Sequence, residues 1–156
     1  MESRIRVGVL IFKDDKLLLV RHVNPKTGYI WWVPPGGGLQ GSETIFECAE
    51  REVREETGLK VTAQRPVYLR QFIYTEFSQN NVDLYVLGEL IGGLETMENL
   101  KGLGGDEHFI KELKYFSEKD ITTMNVFPEV LKKDVWKDRS AGFQVMRFLG
   151  VEDDRH

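Results

Sequence analysis

A single cysteine, Cys48, stands in the 156 residues. It excludes an intramolecular disulfide and any zinc site built from several cysteines. Positive charge is not in excess either. The 21 Lys and Arg against 25 Asp and Glu give a formal net charge of -4. That is no surface for holding a nucleic-acid backbone over a broad area, so nucleic acid is not the expected partner. No apolar run approaches the ~20 residues of a membrane span, and no membrane partner is expected. The first stretch, MESRIRVGVLIF, carries no signal-peptide pattern, which makes cytoplasm the expected location. Internal repeats, linkers and low-complexity segments are missing as well. What is there, 41% hydrophobic and 29% charged residues, is ordinary globular composition. The length suggests one domain over 1–156 with a real core. A compact phosphate ligand stays compatible with the acidic balance, because a bound metal supplies positive charge locally.

The elements alternate between strands and helices. RIRVGVLIFK (4–13) and KLLLVRHV (16–23), joined by a KDD turn, read as a hairpin in a buried sheet. YIWWVPP (29–35) is extended, and GGGLQGS (36–42) reads as irregular. A helix is expected over 44–57, opened by a Thr44/Glu47 capping box and closed by Gly58. Strands are expected at 60–76, 81–91 and 111–116, with a loop over 92–107. A second helix fits 127–138, begun by Pro128. GFQVMRFLGV (141–151) is a short strand or helix. Strands interleaved with two helices imply an α/β or α+β layered domain.

The helix at 44–57 holds the feature that needs explaining. At ~100° per residue, Ile45, Phe46, Cys48, Ala49 and Val53 share one side. Glu47, Glu50, Arg51, Arg54 and Thr57 share the other, where Glu47–Arg51 and Glu50–Arg54 make favourable i,i+4 pairs. Glu52 and Glu56 break this pattern. They project with the apolar residues, four apart, where like charges repel, and Glu55 flanks them. Three inward carboxylates need partners. Hard divalent cations, Mg²⁺ or Mn²⁺, suit them. A solvated acidic helix end and salt bridges to buried Arg or Lys are the competing readings. The preceding PPGGGLQGSE favours the metal, since a glycine loop can aim a carbonyl at a metal or amides at a phosphate.

The stretch GGLQGSETIFECAEREVREETGL (37–59) resembles the Nudix box, GX5EX7REUXEEXGU with U a bulky aliphatic residue. Gly37, Glu43, Arg51, Glu52, Val53, Glu55, Glu56, Gly58 and Leu59 all match. The approach WVPPG resembles the family's W-x-L-P-G, with Pro35 as an extra residue. The resemblance implies a Nudix-type α/β/α sandwich with a central mixed β-sheet. It also implies hydrolysis of a phosphoanhydride in a nucleoside diphosphate linked to another group, with Mg²⁺ or Mn²⁺ as cofactor. The substrate expected is a small nucleotide-like diphosphate: a nucleoside triphosphate, a sugar nucleotide or a dinucleoside polyphosphate. Glu52, Glu55 and Glu56 look like the metal-holding, catalytic carboxylates, and the Gly37 carbonyl like a further ligand. Glu43 and Arg51 look like a structural pair bracing the loop against the helix. The general base is Glu55 or a loop acid, of which Glu107 is the first candidate and Asp106 and Glu112 weaker ones.

Arg21, Trp32, Arg70 and Tyr74 are the candidate substrate contacts, with Trp31, Phe72, Phe77 and Tyr85 as further aromatics on which a base could stack. Cys48, on the apolar side, is expected to be buried and inert. The downstream residue that marks substrate subclasses does not decide here: Tyr74 lies fifteen beyond Leu59, near the dinucleotide pattern but not on it. The alternatives are a catalytically silent nucleotide-binding domain, an RNA 5′-end pyrophosphohydrolase, and the isopentenyl diphosphate isomerase branch. The isomerase needs a suitably placed cysteine, which this chain lacks. Many members of the family form homodimers, and the apolar 143–151 stretch could serve as an interface or pack on its own sheet.

Overall fold

The computed structural model describes residues 1–98 and 110–153. Two sheets make the frame. Strands β1 (Glu2–Leu10), β5 (Gly36–Gly38), β6 (Leu59–Tyr74), β7 (Gln79–Gly93) and β9 (Arg147–Asp153) form a mixed sheet in the order β5-β1-β7-β6-β9. Strands β2 (Phe12–Lys13), β3 (Lys16–Val23) and β4 (Ile30–Val33) form the second sheet, with β8 (Ile110–Ser117) on the other side of β3. Helix α1 (Ile45–Thr57) and the short helices α2 (Glu118–Ile121) and α3 (Asp134–Ser140) cover the strands.

The expected hairpin survives only at its tip. Phe12 pairs Leu17 and Lys13 pairs Lys16. Upstream of the buried Ile11, the chain leaves for the other sheet, where β1 lies parallel to β7 from Glu2↔Gln79 to Leu10↔Leu87. The reason is the alternation within each run. Val7, Val9 and Ile11 pack with Cys48, Ala49 and Val53 of α1 and with Leu18. Leu10 packs with Leu17, Leu19, Tyr68 and the apolar residues of the 121–143 segment. One run thus feeds two cores, which a flat two-stranded hairpin cannot do.

The irregular reading of 36–42 is corrected in its first half: Gly36–Gly38 is a strand at the sheet edge, paired with β1 through Arg6↔Gly38, Val7↔Gly37 and Gly8↔Gly36. Glycine is needed for closeness rather than for a turn. A Cβ on Gly36 would stand 2.1 Å from the Val7 carbonyl oxygen. The helix expected over 127–138 is split. A 3₁₀ turn at Glu129–Lys132 follows Pro128, Lys133 takes φ -145°, and α3 starts at Asp134. Of the 141–151 segment only the second half is a strand: 141–146 is turn and irregular chain, and β9 runs parallel to β6 from Tyr68↔Arg147 to Ile73↔Asp153. Leu149 packs against the core, whereas Phe148 and Val151 face outward. Pro66 interrupts β6 where its register with β7 shifts, as a residue without an N–H must. No helix among the described residues is long and apolar enough to cross a membrane.

Candidate active site

Helix α1 forms as its sequence dictates. The Thr44 hydroxyl accepts from the Glu47 N–H at 3.1 Å, and the Glu47 carboxylate accepts from the Thr44 N–H at 3.1 Å. Gly58 ends the helix at φ 75°, a left-handed conformation that glycine takes without strain. Cys48, Ala49 and Val53 are fully buried. Burial, and then the hydrogen bond to Glu43, push the Cys48 thiol up to about 12, so it stays protonated. The expectation that Cys48 is buried holds.

Glu52 and Glu56 do face inward, at 8% and 5% exposure, although they are carboxylates on a helix. Both meet the glycine strand. The Gly36 N–H donates to Glu56 Oε2 at 3.2 Å. A Cβ on Gly37 would stand 2.4 Å from Glu52 Oε1. Glycine at 37 therefore makes room for a carboxylate, and strand and helix form one site at the sheet edge.

Arg51 corrects the wheel. It was expected outside, yet its guanidinium lies among the acids. Its Nη2 and Nε hold the two oxygens of Glu43 at 2.7 and 2.9 Å, while Nη1 reaches Glu52 at 2.9 Å and Glu55 at 3.2 Å. Nη2 also donates to the Gly38 carbonyl at 3.2 Å. The bracing pair Glu43–Arg51 is therefore present, and it extends to the inner acids. A planar fork with five donors can do this, which a wheel of Cβ directions does not register. Arg51 holds Glu43 down to about 2, through the side-chain hydrogen bond first. Thr57, also expected outside, is fully buried, where its hydroxyl donates to the Val53 carbonyl at 2.6 Å. Glu47 is used by the capping box, and Arg51 takes Glu43 as its principal partner.

The donor set fits a hard divalent cation. Glu52, Glu55, Glu56 and the Gly37 carbonyl offer oxygen only, the chemistry that Mg²⁺ and Mn²⁺ prefer. Three carboxylates, those of Glu43, Glu52 and Glu55, share the one Arg51 guanidinium, so this cluster carries excess negative charge. Burial pushes the Glu52 carboxyl up, against the pull of Arg51, as expected where a charge is under-compensated. The acids do not, however, close around a ready cation site. Among the described residues no three acidic, His or Cys side chains close around a common point. Arg51 occupies Glu52 and Glu55, and an ion would have to compete with it for their oxygens.

A cleft of about 560 Å³ adjoins this edge and includes Gly36 in its lining. Its floor is one face of the five-stranded sheet. Register places Arg4 beside Asn81 and Asn81 beside Phe72. The next row is Arg6, Asp83 and Arg70. The opposite wall comes from the second sheet: His22 and Trp31, with ring centroids 5.3 Å apart, and Tyr29 stacked on Trp31 at 5.7 Å and 23°. Phe72, Tyr74 and Phe77 form an edge-to-face series beyond Asn81, at 5.4 and 4.6 Å.

The expected substrate contacts divide. Tyr74 and Arg70 line the cleft. Arg70 is already committed to Asp83 at 2.8 Å and Glu152 at 3.5 Å, which limits it as a phosphate ligand. Trp32 is corrected: it faces the core, edge-on to Phe116 at 4.8 Å, and its neighbour Trp31 faces the cleft. The strand period of two sends adjacent tryptophans to opposite faces. Arg21 is corrected likewise. It points to β8 and pairs with Glu112 at 3.5 Å, away from the cleft lining. Glu107 and Asp106 lie outside the described residues. Missed altogether were Arg4, Arg6, Asn81 and Asp83. The available signal was polar residues at every second position in otherwise apolar strands, RIRVG and NVDLY.

The NUDIX domain family model matches residues 2–138. Among curated relatives, the uncharacterized Nudix hydrolase YvcI of Bacillus subtilis (strain 168) is 44% identical over 48 residues, 31% of this chain and 28% of that protein. The phosphatase NudJ of Escherichia coli (strain K12) is 31% identical over 72 residues, 46% of each chain. The matched stretch thus spans less than half the length of these curated relatives. A NUDIX hydrolase structure from Nitrosomonas europaea superposes with a TM-score of 0.72 at 21% identity, covering 93% of both chains, which is a likeness of fold.

Proposed function

Because this chain belongs to the NUDIX domain family, we propose that it hydrolyses a phosphoanhydride in a nucleoside diphosphate linked to another group, with Mg²⁺ or Mn²⁺ as cofactor. The observation that carries this reading is the seating of two inward carboxylates on the glycine strand: Glu52 fills the space that a side chain at Gly37 would take, and Glu56 accepts from the Gly36 N–H. Inward acids pressed on a bare strand beside a cleft are costly as structure. They are useful for holding a cation against a phosphate chain.

Glu52, Glu55, Glu56 and the Gly37 carbonyl would hold the ion. When bound, it neutralises diphosphate charge and lowers the pKa of water at the site. Arg51 orients Glu52 and Glu55, and Glu43 orients Arg51. Glu55, the most exposed of the three helix acids with its side chain 29% accessible, is the base that the described residues offer for the attacking water. Glu107, outside the described residues, is the other candidate. Stacking surfaces in the cleft suit a nucleoside, and its polar floor suits a base edge. The acidic balance disfavours long RNA as substrate.

The test is a panel of nucleoside triphosphates, sugar nucleotides and dinucleoside polyphosphates, with products separated by chromatography, with and without Mg²⁺. Cleavage between phosphates that requires the metal supports the proposal. Folded protein that releases nothing from any member of the panel would move the reading to a silent nucleotide-binding domain.

A further inference from the structure

β9 is the outermost strand of the five-stranded sheet, beside β6. An open strand edge offers N–H and C=O groups to a further strand unless it is blunted. Proline and lysine, the usual blunting residues, are absent from RFLGVED (147–153). Its apolar side chains are also bare. Phe148 is 62% and Val151 54% exposed, and neither belongs to either core. Both project from the sheet face opposite the cleft, in rows with Leu69 and Gln71 of β6. The Phe148 row runs back through Leu69 and Leu84 to the buried Val7. An apolar stripe thus runs out to the sheet edge and stops there.

The order of residues along β9 says which strand fits it. Phe148 and Val151 face outward, whereas Arg147 and Glu152 lie on the cleft side, beside Tyr68 and Phe72. The register shift opposite Arg70 creates this pattern, with two apolar residues inside and two opposite charges outside. Let a second β9 run antiparallel with Phe148 opposite Val151. Arg147 then falls opposite Glu152, and both pairs occur twice about a twofold axis. Directly opposed residues share a face of the sheet, as each of these pairs does. A register centred on Gly150 would set Phe148 against Glu152, which lie on different faces. Arg147 already meets Asp138 at 2.7 Å and Asp134 at 3.5 Å, and Glu152 meets Arg70 at 3.5 Å. Their side chains nevertheless stay 43% and 39% accessible, and a guanidinium with five donors takes a further carboxylate.

We propose that β9 is a self-pairing edge, along which two copies of this chain join antiparallel through Phe148–Val151 and Arg147–Glu152. The two five-stranded sheets become one sheet of ten. The second copy also reaches the cleft. Glu152 lines it, so the partner's Arg147 stands at its rim and shares Glu152 with Arg70. The inference does not depend on the proposed hydrolysis, since the pairing needs neither metal nor substrate.

The experiment is analytical sedimentation of the full chain, up to high micromolar concentration. Wild type is expected to approach twice the 18.0 kDa of one chain. Phe148→Lys, at an exposed position, should keep the wild-type circular dichroism spectrum and sediment as a monomer. Arg147→Glu and Glu152→Arg each set like charges opposite one another at both pairs, and each should weaken self-association by about 10-fold or more. Mixing these two variants restores both opposite-charge pairs, so a heterodimer should form from proteins that separately do not dimerise. A role confined to one chain would give no such rescue. Phe148→Lys keeps the test decisive if Arg147→Glu, which also loses its contacts to α3, fails to fold. A monomeric wild type would leave the edge to a strand of some other protein and overturn the inference. So would a dimer that Phe148→Lys or the charge variants leave intact, or a mixture no heavier than its parts.

Discussion

The carboxylate edge and the aromatic cleft lie side by side and share Gly36, yet they are built in opposite ways. The edge is local. Its acids, its bracing arginine and its cap all lie within residues 36–58, and fixed spacings on one helix and one strand set their geometry. The cleft is assembled from β1, β3, β4, β6 and β7, whose registers bring together residues up to 81 positions apart, such as Arg4 and Tyr85. The edge holds charges against one another. The cleft offers flat apolar faces around polar atoms left open. On this account the edge sets the rate of bond cleavage, and the cleft sets which nucleotide is held.

Substitutions in the two regions should therefore change different kinetic constants. The largest effect is expected for Glu56→Gln. Removing the charge of a proposed metal ligand should lower kcat by at least about 100-fold with little change in melting temperature, as read by steady-state turnover and thermal unfolding of the same preparation. Trp31→Ala comes next. Losing one stacking face, worth about 1–3 kcal/mol per base, should raise KM by roughly 10-fold while kcat stays within about twofold. Trp32→Ala, a core truncation, should instead cost stability. A large kcat loss in Trp31→Ala would break the division of labour.

Smaller effects test how the edge is held. Thr44→Ala removes the cap of α1 and should cost about 1 kcal/mol of stability by denaturant titration. Glu43 gives a pH signature. Its folded-state pKa, about 2, lies below the ordinary 4.5, because Arg51 bonds its charged form. That stabilisation is present in full above pH 4.5 and is lost as the pH falls toward 2. Thermal unfolding from pH 6 to pH 2 should show wild type losing its advantage over Glu43→Gln through that window. An advantage constant across it would mean that Arg51 does not discriminate the charged carboxylate.

The same contrast explains what could be read from the amino-acid string. The capping box, Gly58, and the inward Glu52 and Glu56 follow from spacings of three and four and were legible. Arg51 was not, because a long side chain can wrap around its helix to reach acids on another face. The glycine strand escaped because its strand character comes from pairing with β1 and from the close approach of Glu52, not from propensity. The choice between Trp31 and Trp32 needed the orientation of β4, which only the partner strand β3 sets. Arg21 was claimed by Glu112 of β8, a pairing across 91 residues. Errors of this kind accumulate where a site is made of long-range register, and the cleft is such a site.

The most direct test of the central claim is a calorimetric titration of Mn²⁺ into wild type and into Glu56→Gln, with no nucleotide present. The account predicts saturable binding by wild type and affinity weakened by at least about 10-fold in the variant. Indistinguishable isotherms for the two proteins would contradict it, and the inward carboxylates would then be a feature of folding alone.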